Sequence, residues 1–259
     1  MRERKVNLLS VPGWAQLTEK QLLAIASLMS QPAYEKSLVT KAFLKINGLR
    51  VKRGYVLTTN ADGHNFKSYI FQKNGYRPFT ISANIFASMV KKFDWLEGDI
   101  TLFRCLLELA GRKAPNHSLY GTTLEQFLFA ENLYNNYAAT RQSKYLRQLA
   151  AVYYMPDKSV FKTEKVRRWA NKFRFLTTAR LYATFLWFTG VKRWITQKYP
   201  YVFNTQGTGT PLAPDESILN MLSALNQGDI TRNELILKTH VHEALYQLNL
   251  MAEKAHDHV

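Results

Sequence analysis

Lys158, Lys162, Lys165, Arg168 and Lys172 follow one another at steps of three and four residues, in a stretch that also carries Trp169 and Phe173. Residues three and four apart share one face of a helix. Lys165, Arg168 and Lys172 therefore form a basic stripe, which Arg167 and Arg174 widen. Cationic heads aligned in this way neutralise phosphates, and binding made by them weakens with salt because counterions are released. An acidic protein surface or an anionic membrane would suit the same stripe. The plainer reading is a wet helix face, with Trp169 and Phe173 turned into a core.

Other chemistry is scarce. The phosphate loop GxxxxGK[ST], the dinucleotide fingerprint GxGxxG, the metalloprotease HExxH and the hydrolase elbow GxSxG are all missing. His240 and His242 are two apart, a spacing that sends them to different faces of a helix. His64 and His117 sit alone in loop-like stretches, and His256 and His258 lie at the chain end. Asp94, Glu97 and Asp99 cluster, with Glu108 further on, but they read as solvated groups between helices rather than as a catalytic pair. Cys105 is the single cysteine and lies in an apolar run, so it reads as a small buried hydrophobe. We therefore expect no catalytic or metal site, no cofactor and no enzymatic activity. An active site assembled from scattered residues is the third and weakest functional class.

The elements that would carry these groups are mostly helical. Thr18 with Gln21 makes a capping box ahead of Leu22, Ile25, Ala26 and Met29. A second helix is expected over about 33–46, stopped by Asn47-Gly48. Residues 66–73 alternate and are followed by Asn74-Gly75, a turn pair, so a small hairpin is expected near 66–81 with 60–65 as a loop. Ser82 can cap the next helix, which carries Ile85, Phe86, Met89 and Val90. Periodicity leaves 100–110 open between helix and strand. Thr123 with Gln126 and Thr231 with Glu234 are two further capping boxes. A long helical region spans Lys162 to Lys198. Val166, Trp169, Ala170 and Phe173 form its apolar stripe, and Leu181–Phe188, apolar nearly all round, forms a buried central helix. The Gly- and Pro-rich stretch 204–214 reads as a linker.

The expected organisation is mainly α with the small hairpin. It comprises a helical body over 1–200 with a break near 156, a linker over 201–214, and a helical unit over 215–259. In that last unit Val241, Leu245, Leu248 and Ala252 form an amphipathic face that must be covered by the body or by a partner helix.

The chain has 259 residues and a formal net charge of +16. The excess is uneven. Between Arg141 and Lys198 there are 14 Lys or Arg against two acids, whereas from Tyr201 to Val259 there are three against seven. Such a balance speaks to partners rather than to fold. A lone cysteine gives no internal disulfide and no sign of an oxidising compartment. The charged start, Met1–Lys5, and the short polar run after it do not resemble a signal peptide. The longest apolar run is far shorter than the roughly 20 residues needed to span a bilayer, so no transmembrane segment is expected.

Several phrases together carry a resemblance. These are Pro12-Gly13-Trp14 with Leu17-Thr18-Glu19-Lys20-Gln21-Leu22, the run Leu124 to Tyr134, the run Leu186 to Lys192, and the ending Asp229 to Ala255. In them the chain resembles tail-morphogenesis-region proteins of Bacteroidetes phages and prophages. The resemblance implies a non-enzymatic tail assembly factor, chaperone-like, or a minor tail structural protein. Its partners would be tail proteins such as a tape-measure protein, and its place the bacterial cytoplasm during assembly or the virion. It transfers no functional residue. The alternative is a basic nucleic-acid-binding protein that uses the helix over 158–174. The sequence defines no oligomeric state.

Overall fold

The computed structural model describes residues 6–32, 37–59, 64–155, 161–203 and 214–257. The protein is mainly helical with a small antiparallel sheet, as its sequence pattern predicts. No helix among the described residues is long and apolar enough to cross a membrane. The chain divides into two compact units, Met1–Ile100 and Thr101–Val259. The division thus lies neither near 156 nor at 201–214, where breaks in composition suggested it.

In the first unit, α1 (Glu19–Met29) starts at Thr18, whose hydroxyl accepts the Gln21 N–H while the Gln21 side chain accepts the Thr18 N–H. Each capping partner satisfies a donor that the helix leaves free. Leu22, Ile25, Ala26 and Met29 are buried, as their spacing requires. α2 (Leu38–Asn47) ends at Gly48, whose φ of +63° is left-handed and lets the chain leave the helix directly into a strand. The Asn47 side chain is buried. It accepts the Leu9 N–H at 2.6 Å and donates to the Leu9 carbonyl at 3.2 Å, which fixes the N-terminal segment on α2.

The sheet has the order β1 (Leu49–Thr59), β2 (Asn65–Lys73), β3 (Phe79–Ser82), antiparallel throughout. The expected hairpin is β2–β3, but its connection runs over 74–78 instead of a two-residue turn, since pairing resumes only at Phe71↔Phe79. Pro78 has no N–H to give a ladder there. β1 is a strand beyond the expected hairpin. Its pairing slips between Val51 and Tyr55, and the three residues between them oppose a single residue, Ile70, on β2. α3 (Ala83–Lys91), capped by Ser82, packs on this sheet through Phe86. Phe71, Phe43 and Phe93 complete the aromatic core, with centroid separations of 5.3 to 5.8 Å around Phe43 and Phe86. Trp14 packs edge-on against Trp95, whose indole N–H donates to the Val11 carbonyl at 2.7 Å.

In the second unit the undecided stretch 100–110 is irregular, apart from a two-residue ladder of β4 (Glu108–Leu109) with β5 (Arg112–Lys113). α4 (Leu124–Thr140) has half of the expected capping box. Thr123 accepts the Gln126 N–H, but the Gln126 side chain donates to the Val152 carbonyl of α5 (Ser143–Tyr153). The region 162–198 is broken into α6 (Thr163–Lys172), a 3-10 turn at Phe173–Phe175, and α7 (Thr178–Lys198). Every residue from Leu181 to Phe188 is buried, so α7 is the central helix. Its rings interlock with those of α4 and α5, in the pairs Tyr134–Phe185, Phe127–Phe188 and Tyr153–Trp187.

The C-terminal helices are α8 (Pro200–Phe203), α9 (Pro214–Asn226), α10 (Asn233–Lys238) and α11 (Val241–Asp257). Thr231 does not form a capping box. Asp229 accepts the Thr231 N–H to start a 3-10 turn, and Glu234 pairs with Lys238. The Val241 N–H donates to the Thr122 carbonyl at 2.9 Å, and the Leu124 N–H donates to the Thr239 carbonyl at 2.9 Å. Val241, Leu245 and Leu248 are buried and Ala252 is half-buried within this unit. Much of the face predicted to await a partner helix is therefore covered by the chain's own second unit, and 215–259 does not form a unit of its own. The linker assigned to 201–214 lies outside the described residues from 204 to 213.

Candidate functional site

The basic stripe rests on α6. Val166, Ala170 and Phe173 are buried, which docks the helix by its apolar side. Trp169 is half-buried rather than core, so it sits where the apolar side meets the basic one. The ammonium of Lys172 lies 3.9 Å from its ring centroid, and the Arg112 guanidinium of β5 lies 5.0 Å from it. Cations over an indole face are attracted by the ring quadrupole. Lys162, Arg167, Arg168 and Lys172 are exposed and Lys165 is half-buried. Lys158 lies outside the described residues. Past the helix, Arg174 stacks on Phe175, which is 80% exposed, and Arg180 is exposed as well. Lys172 in the last turn complements the negative end of the helix dipole. Within α6 the one acid is Glu164, in the first turn. Burial raises the pKa of Glu125 on α4, and the neighbouring Glu164 charge adds to the effect.

The structure joins Lys165, Arg168 and Lys172 on one helix face and adds Arg112, which is far away in sequence and invisible to any helical period. Its second addition lies in the first unit. From Leu38 to Phe93 there are ten Lys or Arg and a single acid, Asp62. Counting of this kind along the chain finds that excess without a structure. Its bases are divided among α2, the strands, the connection after β2 and the end of α3, so no single helical period lines them up.

The isolated groups resolve as follows. Cys105 is 1% exposed, and its Sγ lies 3.2 Å from His117 Nδ1. That is a thiol–imidazole contact directed into the protein interior. His242 is buried. Its Nε2 lies 2.6 Å from the Ser118 carbonyl, which it reaches as donor, and its Nδ1 lies 2.9 Å from the Tyr199 hydroxyl, which donates to it. Burial is the main cause that lowers its pKa, and the Lys198 charge adds to it. His64, His240 and His256 are exposed, as are Asp94, Glu97, Asp99 and Glu108. Among the described residues no group of three His, Cys, Asp or Glu side chains could hold a metal ion. No protein-family model, curated protein or solved structure matches the chain.

Proposed function

We propose that the protein is a non-enzymatic nucleic-acid-binding protein that uses the basic side of α6. The observation that carries this reading is the gathering of Lys172 and Arg112 over the Trp169 ring beside an exposed Arg168. The cations that lie over the half-buried indole, together with the exposed Arg167 and Arg168, offer a cluster of phosphate partners. Fluorescence anisotropy with labelled oligonucleotides over a salt series tests it. Affinity should fall steeply with salt, and the slope should shrink by roughly 0.7 to 0.9 for each phosphate contact removed. Replacing Lys165, Arg168 and Lys172 by Glu together should weaken binding by orders of magnitude. Unaltered binding by that triple variant rules α6 out.

A second reading is the phage tail assembly factor or minor tail protein that the sequence resemblance implies. It is supported by apolar side chains left in water near the C-terminus, Ile230 at 77% and Leu235 at 71% exposure. Such side chains could cover apolar helical segments of a tape-measure protein until assembly buries them. That role places the protein in the bacterial cytoplasm or the virion. Co-purification with a helical tape-measure fragment, lost on Ile230→Asp and Leu235→Asp, is its test.

A further inference from the structure

The ladder between β1 and β2 sets Val51, Tyr55 and Leu57 on one face, opposite Phe71, Tyr69 and Lys67. Phe71 is fully covered, yet Tyr55 is 55% and Leu57 66% exposed, and Val51 is also exposed. The Lys67 ammonium lies 4.8 Å from the Tyr55 ring centroid. Lys52 on β1 and Arg77 after β2 are also exposed, as is Arg50, which pairs with Gln72 and so belongs to the other face. From Leu38 to Phe93 ten bases stand against one acid, Asp62, so the segment that builds the ribbon carries a strong cationic excess. Apolar and aromatic side chains in water, within a segment of strong cationic excess, match a ligand that is anionic along its length and carries flat apolar faces.

We propose that the β1–β2 ribbon is a binding site for single-stranded nucleic acid, separate from α6, with a base stacked on Tyr55 and phosphates at Lys52 and Lys67. The ligand class follows from charge complementarity together with the ring. Phosphate alone would leave Tyr55 and Leu57 wet, while bases of an unpaired strand cover them, and base–aromatic stacking tolerates any sequence. A duplex keeps its base faces stacked inside and should bind less well. The inference shares its ligand class with the proposal for α6 but rests on different residues in a different unit.

The test uses the full chain with an oligothymidylate of about twenty nucleotides, a length that gives several stacking positions. Tyr55→Ala should weaken binding by roughly 5- to 100-fold. Tyr55→Phe, which keeps the ring, should restore most of it. Lys52→Glu with Lys67→Glu should lower both the affinity and the salt slope. These positions are exposed, and an unchanged far-ultraviolet dichroism spectrum checks that each variant is folded. Binding that survives Tyr55→Ala and the double charge reversal unaltered overturns the ribbon site. If the α6 triple variant alone then abolishes binding, the α6 reading survives. Loss through the ribbon variants with no effect of the α6 variant supports the ribbon and removes α6. A wild-type chain that binds no oligonucleotide but binds phosphatidylglycerol vesicles overturns both in favour of a membrane surface. Capture by an acidic protein without oligonucleotide binding likewise overturns both.

Discussion

Gly190 lies in the interior of α7, where glycine costs about 1 kcal/mol relative to alanine. A reason for its presence is the approach of another backbone. A Cβ built at Gly190 would lie 2.1 Å from the Leu102 carbonyl oxygen, 2.8 Å from its carbon and 2.9 Å from its nitrogen. Ordinary carbon–oxygen contact needs more than 3 Å, so Gly190→Ala forces helix and loop apart by about 1 Å. Neither side yields as a flexible side chain would. Phe188 and Val191 beside the glycine are fully buried, and so is Leu102. Overpacking of this kind costs roughly 1–3 kcal/mol, and a backbone-to-backbone clash belongs at or above the upper end. Set against the roughly 1 kcal/mol returned by helix propensity, the net loss is about 2 kcal/mol or more.

For a unit of this size each kcal/mol moves the midpoint by roughly 2–4 °C, so Tm should fall by roughly 4–8 °C. Urea unfolding followed by far-ultraviolet dichroism measures the same loss isothermally. Gly98→Ala is the control. The nearest atom to its added Cβ is the Trp95 carbonyl oxygen at 3.6 Å, an ordinary contact. That variant should stay within about 0.5 kcal/mol of the parent. If Gly190→Ala proves as stable as the parent or more so, the Leu102 backbone does not lie against α7 at Gly190.

Two adjacent tyrosines of the second unit should respond with opposite signs. The Tyr154 hydroxyl donates to the Leu106 carbonyl at 2.8 Å, so Tyr154→Phe should cost about 1 kcal/mol or more by stranding a buried acceptor. The Tyr153 hydroxyl is buried with no hydrogen-bond partner among the described residues, so Tyr153→Phe should be neutral or stabilise by up to about 1 kcal/mol. Equal losses in urea titrations would refute that difference. His242 predicts a pH dependence. Its pKa is lowered in the folded protein from the ordinary value of 6.5, so the unfolded chain takes up the proton first. Stability is then full above about pH 6.5 and falls as the pH drops below it, by at most about 1.4 kcal/mol per unit for this one group. His242→Gln should flatten that fall, and identical pH profiles for both proteins would count against the assignment.

What was legible in the sequence was local. The Thr18–Gln21 cap, the buried run Leu181–Phe188 and the burial of Cys105 depend on neighbours within a few residues, and the structure has all three. β1 was hidden because Lys52, Arg53 and Gly54 interrupt its alternation where the ladder bulges, so no single period runs through the strand. The amphipathic spacing of Val241, Leu245 and Leu248 shows that a face is covered but not by what. The bonds that decide it join Thr239 and Val241 to Leu124 and Thr122, more than a hundred positions away. For the same reason the α6 stripe was visible and its rim was not. Lys172 and Trp169 are three apart on one helix, while Arg112 reaches the ring from a separate strand.

Charge links both proposed sites to energetics rather than to fold. The segment 141–198 holds 14 bases with two acids, and 38–93 holds ten with one, so neither can neutralise itself. The seven acids after Tyr201 are the largest internal counterweight, with three bases among them, and Asp229, Glu234 and Glu243 are exposed. Exposed pairs contribute about 0–1 kcal/mol each and are screened at physiological salt. A polyphosphate chain presents its charges at fixed close spacing and gains from every counterion it releases. On that comparison an external polyanion should outcompete the chain's own carboxylates if the proposed basic surfaces are its sites. Its binding should also relieve the self-repulsion that an excess of +16 imposes on the folded state.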